Sequence, residues 1–362
     1  MKILVLGLAA VVLLLPGAAR PAGCSPLDCA PSQFVIARGA LLATRQQAEA
    51  PVRVIDLRSG ATRWRLPPGI VTGHQVVHQD GGLLTWFDAA SGARIGSAML
   101  QQRARFSLVG TSQDASRAVL ARTQARSTTF AIVSRSQPEQ IVKLRGKTWS
   151  FDALRGSRLF LIKSSAGGYQ VRQYDLASDT LAGAALKDPG ESATISGFPF
   201  ARAASTDGRY VFTLYLGSSG GAMIHELDLV AGTARCVDLP GDGDFSAAMT
   251  WALVLDPDGR TLWAVSPGYG RVVAVDIAAH RIRDSYPFQR AGWAPNPGVA
   301  VMAPDGERIA VTDARHVWFV ELAQRKVVAG ANHVAIALGF APDMSRLWLV
   351  GERSRVSSLP VR

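Results

Sequence analysis

A small turn, Pro-Asp-Gly or a close variant, recurs along this chain ahead of short apolar strands. Asp256-Pro257-Asp258-Gly259 leads into Thr261-Leu262-Trp263, and Ala303-Pro304-Asp305-Gly306 leads into Arg308-Ile309-Ala310. Ala341-Pro342-Asp343-Met344 precedes Arg346-Leu347-Trp348, and Ser205-Thr206-Asp207-Gly208 precedes Tyr210-Val211-Phe212. Asp258 and Asp305 lie 47 residues apart, Asp305 and Asp343 38 residues apart. A repeat of that length, built from strands, marks a β-propeller. It sets the architecture and leaves the chemistry open.

A second recurring turn phases the repeat. Asp56-Leu57-Arg58-Ser59-Gly60, Asp88-Ala89-Ala90-Ser91-Gly92, Asp175-Leu176-Ala177-Ser178-Asp179 and Asp228-Leu229-Val230-Ala231-Gly232 each close one strand and open another. Asp276-Ile277-Ala278-Ala279-His280 and Glu321-Leu322-Ala323-Gln324-Arg325 continue the series. Asp and Ser bond nearby backbone, and Gly accepts positive φ, so these segments suit tight hairpins. The two turns together give units of four strands, here termed a to d. Eight units fit, at about 33–67, 68–103, 104–146, 147–187, 198–241, 247–290, 297–333 and 334–362. The expected fold is therefore all-β, a single propeller of eight four-stranded blades, or seven if two weak early units merge. The last unit shows three clear strands. Its fourth is either absent or supplied by the segment before Phe34, which would tie the ring shut. The longest turn-rich insertion is 187–197.

Ala303-Pro304-Asp305-Gly306-Glu307-Arg308-Ile309-Ala310-Val311 resembles WD40-like and TolB-type repeats. The segment from Asp256 to Asp276, with its Pro-Asp-Gly turn, Leu262-Trp263-Ala264-Val265 strand and Val272-Val273-Ala274-Val275-Asp276 strand, is similar to the YVTN-type repeat. The likeness is specific in units five to eight and weak in units one to four, and the Trp-Asp dipeptide of true WD40 repeats is missing. The resemblance implies a secreted or cell-surface bacterial propeller. It carries no catalytic residue over.

The N-terminus supports export. Lys2 is followed by an apolar run from Ile3 to Leu15, then Pro16-Gly17-Ala18-Ala19. As a helix that run reaches about 20 Å, short of a hydrocarbon core of about 30 Å. The small residues suit cleavage after Ala19, so 1–19 reads as a signal peptide, 20–32 as a linker and 33–362 as the propeller. An uncleaved anchor is the alternative. No second apolar run is long enough to span a membrane in the mature chain. Cys24 and Cys29, in an oxidising compartment, are a candidate disulfide. Ala22-Gly23-Cys24 alternatively resembles the end of a lipobox, which would place a lipid anchor on Cys24; Pro21 and Arg20 depart from that pattern. Cys236 reads as a lone buried thiol in a strand.

The formal charge is +11, yet 33 of the 39 basic residues are Arg and no five basic residues run together. The charge reads as dispersed and solvated. With export, this makes nucleic acid an unsuitable partner.

Motifs that invite chemistry lose it in context. His74-Gln75-Val76-Val77-His78 has the spacing of a zinc-protease helix, but Gln75 lacks a carboxylate and the segment reads as strand. Positions four apart in a strand stand about 13 Å apart, too far to share one zinc. Gly217-Ser218-Ser219-Gly220-Gly221 fits a nucleophile elbow but joins two strands, not a strand and a helix. Asp238, Asp242 and Asp244 offer three carboxylates where calcium takes six to eight oxygens. No metal site or cofactor is expected. Trp64, Trp86, Trp149, Trp251, Trp263, Trp318 and Trp348 fall mostly in strands and suit inter-blade packing.

Trp251 stands out from that set because it opens an innermost strand near the channel mouth. Loops entering such strands would bring Asp152, Glu191 and Arg202 to the channel, with Tyr269 arriving from another loop. A carboxylate and a guanidinium converging on a funnel form the default ligand site of this architecture. Asp152, Glu191, Arg202, Trp251 and Tyr269 are therefore the candidate ligand contacts. The expected function is a monomeric, extracytoplasmic, non-catalytic binding or interaction scaffold for an unknown protein or small molecule. The alternative is a propeller-type enzyme, a lactonase-like hydrolase or a quinone- or metal-dependent oxidoreductase, with its site at the central channel. An envelope-complex partner of TolB type is a third possibility.

Overall fold

The computed structural model describes residues 32–36, 39–45, 49–102, 105–165, 168–189, 192, 194–217, 220–241, 243–290, 298–313, 315–351 and 355–361. The expected signal segment, Cys24, Cys29, Glu191 and Asp242 lie outside the described residues.

Both recurrent turns form, for the reasons their residues suggest. In the Pro-Asp-Gly turns the Asp carboxylate accepts from the backbone N–H two residues on. Arg209 donates to Asp207 at 2.9 Å, Arg260 to Asp258 at 2.8 Å, Glu307 to Asp305 at 3.0 Å and Ser345 to Asp343 at 3.1 Å. The next residue takes the left-handed conformation. Gly306 does so at φ +75°, and Met344, in the same position of the last turn, is held at +61°. In the second turn type Asp56, Asp88, Asp175, Asp228 and Asp276 accept from a backbone N–H two or three residues on, at 2.7–2.9 Å. These bonds satisfy backbone donors that the sheet cannot reach.

Antiparallel sheets follow in chain order. Blade 1 holds β1 (Ser32–Ile36), β2 (Leu41–Arg45), β3 (Pro51–Asp56) and β4 (Thr62–Pro68). Blade 2 holds β5 (Ile70–Thr72), β6 (Gln75–Asp80), β7 (Leu83–Asp88) and β8 (Arg94–Met99). Blade 3 holds β9 (Ser107–Thr111), β10 (Arg117–Gln124), β11 (Ser127–Ser134) and β12 (Gln140–Arg145). Blade 4 holds β13 (Trp149–Arg155), β14 (Arg158–Ser165), β15 (Gly168–Asp175) and the short β16 (Thr180–Leu181). Blade 5 holds β17 (Phe198–Ala204), β18 (Tyr210–Leu216), β19 (Ala222–Asp228) and β20 (Thr233–Leu239). A one-turn helix, α1 (Phe245–Ala248), precedes blade 6, with β21 (Ala252–Leu255), β22 (Thr261–Ser266), β23 (Arg271–Asp276) and β24 (Arg281–Pro287). Blade 7 holds β25 (Val299–Met302), β26 (Arg308–Thr312), β27 (His316–Glu321) and β28 (Lys326–Asn332). Blade 8 holds β29 (Ala337–Phe340), β30 (Arg346–Val350) and β31 (Val356–Pro360). The protein is an all-β propeller of eight blades. The two early units stay separate sheets, so the seven-blade count does not hold.

The first strand of each blade adjoins the first strand of the next, which makes these strands the innermost layer of the ring. One junction departs: β13 and β17 approach less closely than any other consecutive pair. Between the blades lie apolar clusters, such as Val119, Phe130, Leu159 and Leu161 between blades 3 and 4. Strand alternation sends successive side chains to opposite neighbours, so blade sheets are apolar on both faces.

The ring closes through side chains. Gln33 of β1 donates to Ala300 O at 2.7 Å and accepts from Leu338 N at 2.6 Å. Trp348 Nε1 donates to Leu57 O at 2.6 Å. Leu42, Ile55 and Leu57 pack there against Ala337 and Val350. The residues just before and after Phe34 form β1, the innermost strand of blade 1, and among the described residues blade 8 has three strands.

Antiparallel order puts the a–b and c–d turns at one end of the ring and the b–c and d–a connections at the other. The first end is nearly uniform tight turns. At the second end the longest links follow blades 4, 5 and 6, at 182–197, 240–251 and 288–298.

Candidate functional site at the junction of blades 4 and 5

Asp152 sits where β13 slips register against β14. Phe151 pairs with Leu161 and Ala153 with Phe160, which leaves Asp152 as the extra residue of a β-bulge. A bulge re-aims its side chain. Here it buries the carboxylate to 4% exposure and turns it toward blade 5. Arg202 of β17 meets it with both ends of its fork. Nη1 lies 3.0 Å from Asp152 Oδ1, and Nη2 donates to Asp152 O at 2.6 Å. Two of the residues proposed from sequence are thus brought together, across the junction of blades 4 and 5.

Behind the pair lies a polar row that sequence inspection did not single out. Arg202, Thr213, His225 and Cys236 are successive cross-strand partners through blade 5 and so share one face. His225 is buried, its Nε2 has no hydrogen-bond partner among the described residues, and its ring meets Tyr215 edge-on at 6.1 Å. Tyr215 in turn lies 6.0 Å from Tyr169 of blade 4. Burial holds the His225 imidazole below its usual range; Asp152 opposes this and Arg202 adds to it. Burial pushes the Tyr215 phenol upward, with Asp152 adding to it. Both groups are therefore neutral at pH 7, beside a charged pair. Cys236 is half-buried on β20 rather than buried.

The link 182–197 crosses the outer part of the same junction. Leu186 bridges to Val171 and Ile195 to Tyr169, so fragments of the link extend the fourth-strand position of blade 4 where β16 stops. Asp188 leaves that edge for blade 5. Its carboxylate takes Arg235 Nη1 at 2.7 Å and Cys236 N at 3.1 Å. Glu191, proposed from sequence, belongs to this link but lies outside the described residues.

Trp251 and Tyr269 form a separate pair between blades 5 and 6, with ring centres 6.0 Å apart and planes at 44°. Trp251 is fully buried. The Tyr269 hydroxyl reaches Gly220 O at 2.8 Å and Asp244 O at 2.9 Å, tying a b–c loop to the link ahead of α1. Asp244, one of the three acidic residues of the 238–244 loop, caps α1 by accepting from Ala247 N at 3.0 Å. Near it Phe245 is exposed and tilts against Phe198, the first residue of β17, at 5.7 Å. His74 and His78 lie on a turn and on β6, and Gly217–Gly221 closes a hairpin through Gly217 N to Gly221 O at 2.7 Å. None of these reproduces an enzyme motif. No group of three or more His, Cys, Asp or Glu able to hold a metal occurs among the described residues.

On the opposite face of blade 5, Glu226 is buried toward blade 6. Its Oε1 lies 2.9 Å from His280 Nδ1, and its Oε2 has no partner among the described residues. Burial, and then the charge of Asp228, push its carboxyl up to about 8 from an ordinary 4.5; Asp188 adds, while Arg235 and Arg209 oppose. A folded-state value above the unfolded one means the folded chain holds the proton more tightly. This contribution is whole below about pH 4.5 and is lost as pH rises through about 8. Glu226→Gln should therefore gain melting temperature over the wild type progressively from pH 5 to pH 8, then level off. Melting curves of the two proteins that stay parallel across this range would refute the assignment.

The architecture is similar to that of apo AztD from Citrobacter koseri, with a TM-score of 0.53 and 14% identity, covering 82% of this chain and 84% of that one. It is also similar to the Dos1 propeller, with a TM-score of 0.54 and 9% identity, covering 92% and 94%. Likeness at these identities supports the propeller fold and goes no finer. No family model and no curated protein matches the chain.

Proposed function

We propose that this protein is an extracytoplasmic β-propeller acting as a non-catalytic binding or protein-interaction scaffold, which presents the loop-bearing end of blades 4–7 to its partner. The observation that carries the reading is the asymmetry of the ring. Every long link emerges at one end; Asp188 fastens the link 182–197 to blade 5, and Tyr269 fastens the link 240–251 to the b–c loops of blades 5 and 6. Fastened loops on a rigid scaffold bind without a large ordering cost. The Phe198–Phe245 pair gives that end an apolar contact of the kind interfaces favour.

One observation favours the second reading, a propeller-type enzyme. Asp152, Arg202, Tyr215 and His225 gather titratable groups at a single junction. Native mass spectrometry of the protein from its own host separates the two. A co-purifying polypeptide, lost in Phe245→Ser but kept in Arg260→Ser at the opposite end, is the expected result. A metal, quinone or metabolite released on denaturation, with no polypeptide partner, would overturn the scaffold reading. The denatured mass also reads the two-hydrogen loss of a Cys24–Cys29 disulfide or the added mass of a lipid.

A further inference from the structure

We propose that the seam where blade 8 meets blade 1 is a binding site for a tetrahedral oxyanion. A cleft of about 100 Å³ opens there, lined among the described residues by Thr44, Arg45, Arg53 and Arg65 with apolar walls from Ile336 and Val350. That volume has room for a few waters at about 30 Å³ each, or for one phosphate-sized ion. No carboxylate is among these lining residues.

The register explains why the guanidinium groups crowd together. Thr44 of β2 pairs with Arg53 of β3, and Arg53 pairs with Arg65 of β4, so all three project from one face of blade 1. Like charges directly opposed across strands repel each other. Burial, and then the Arg65 charge, hold the Arg53 guanidinium below the usual arginine range. An anion between the two would relieve this and accept charge-assisted hydrogen bonds in the geometry that guanidinium groups offer phosphate. Arg53 Nη2 is held by Thr62 Oγ1 at 2.6 Å, which fixes the fork.

Thr44 supplies the independent sign. It is 2% exposed, and its hydroxyl has no hydrogen-bond partner among the described residues. A buried hydroxyl without a partner calls for an occupant.

Calorimetric titration of the full chain with inorganic phosphate, at constant ionic strength set with chloride, tests the site. One phosphate should bind with a Kd at or below about 1 mM. Arg65→Gln, at an exposed position, and Arg53→Gln should each weaken it about tenfold or more. Thr44→Val should weaken phosphate binding while melting no lower than wild type in phosphate-free buffer, because it removes an unpaired hydroxyl. Phenyl phosphate in the same titration distinguishes the sources. Equal affinity assigns the site to a phosphoryl group on a larger molecule, and exclusion assigns it to the free anion. Absence of binding to wild type up to 10 mM phosphate (roughly ten times the expected Kd), or unchanged affinity in Arg65→Gln, overturns the proposal.

Discussion

Trp251→Ala should cost about 3–5 kcal/mol of stability, the range for truncating a large buried aromatic. The indole is fully buried and lies in one cluster with Phe212 and Leu214 of blade 5 and Leu262, Ala264 and Val273 of blade 6. Its removal leaves a cavity that strands held in two separate sheets cannot collapse to fill. The Trp251 Nε1 has no hydrogen-bond partner among the described residues, so the loss is one of packing. Trp251→Phe should therefore recover much of the stability. Urea unfolding of the three proteins, compared at equal m, measures the difference. If Trp251→Ala melts near wild type while partner binding is lost, the ring is a ligand contact and not inter-blade core.

The ring itself was legible because its turns are chemical. An Asp that accepts a backbone N–H and a following left-handed residue leave a trace wherever Asp-Gly survives, as at Asp258-Gly259. The trace fades where substitution keeps the geometry and changes the letters. In blade 3 the same turn is Asp114-Ala115, with Ser116 N donating to Asp114 at 3.1 Å and Ala115 at φ +55°. In blade 4 it shrinks to the pair Gly156-Ser157 between β13 and β14. These are the units whose repeats resemble known patterns least.

The candidate site was legible only as single residues. Asp152 and Arg202 are 50 positions apart, and nothing in either segment announces the bulge that aims one at the other. Trp251 and Tyr269 were grouped with them, yet the structure gives those two a junction of their own, one blade further on. His225 and Glu226 were missed, although a signal exists. Two polar residues in succession within Met223-Ile224-His225-Glu226-Leu227, a strand otherwise apolar, must enter two different inter-blade interfaces, because successive side chains alternate. Glu226 takes its partner, His280, from another blade, and periodicity alone does not say which residue that is.

That dependence on a partner makes Arg202→Ala the sharpest test of the blade 4–5 junction. Removing one member of a buried ion pair strands the other, at a typical cost of about 3–5 kcal/mol. The loss here belongs near the lower end, since Arg202 is 27% exposed and water can reach part of the site. Asp152→Asn should cost less. It leaves a guanidinium that can turn to solvent, where Arg202→Ala leaves a carboxylate at 4% exposure. Adding Asp152→Asn to Arg202→Ala should restore part of what the single change lost, because the uncompensated charge is gone. A double-mutant cycle in urea reads that sign directly. The geometry adds a local signature. The Arg202 fork joins β17 directly to the backbone and side chain of Asp152 in β13. Amide hydrogen exchange should accelerate in β13 and β17 of Arg202→Ala before it does in β21 and β25. Uniform acceleration around the ring, or a double variant weaker than Arg202→Ala alone, would mean that the pair does not hold this junction.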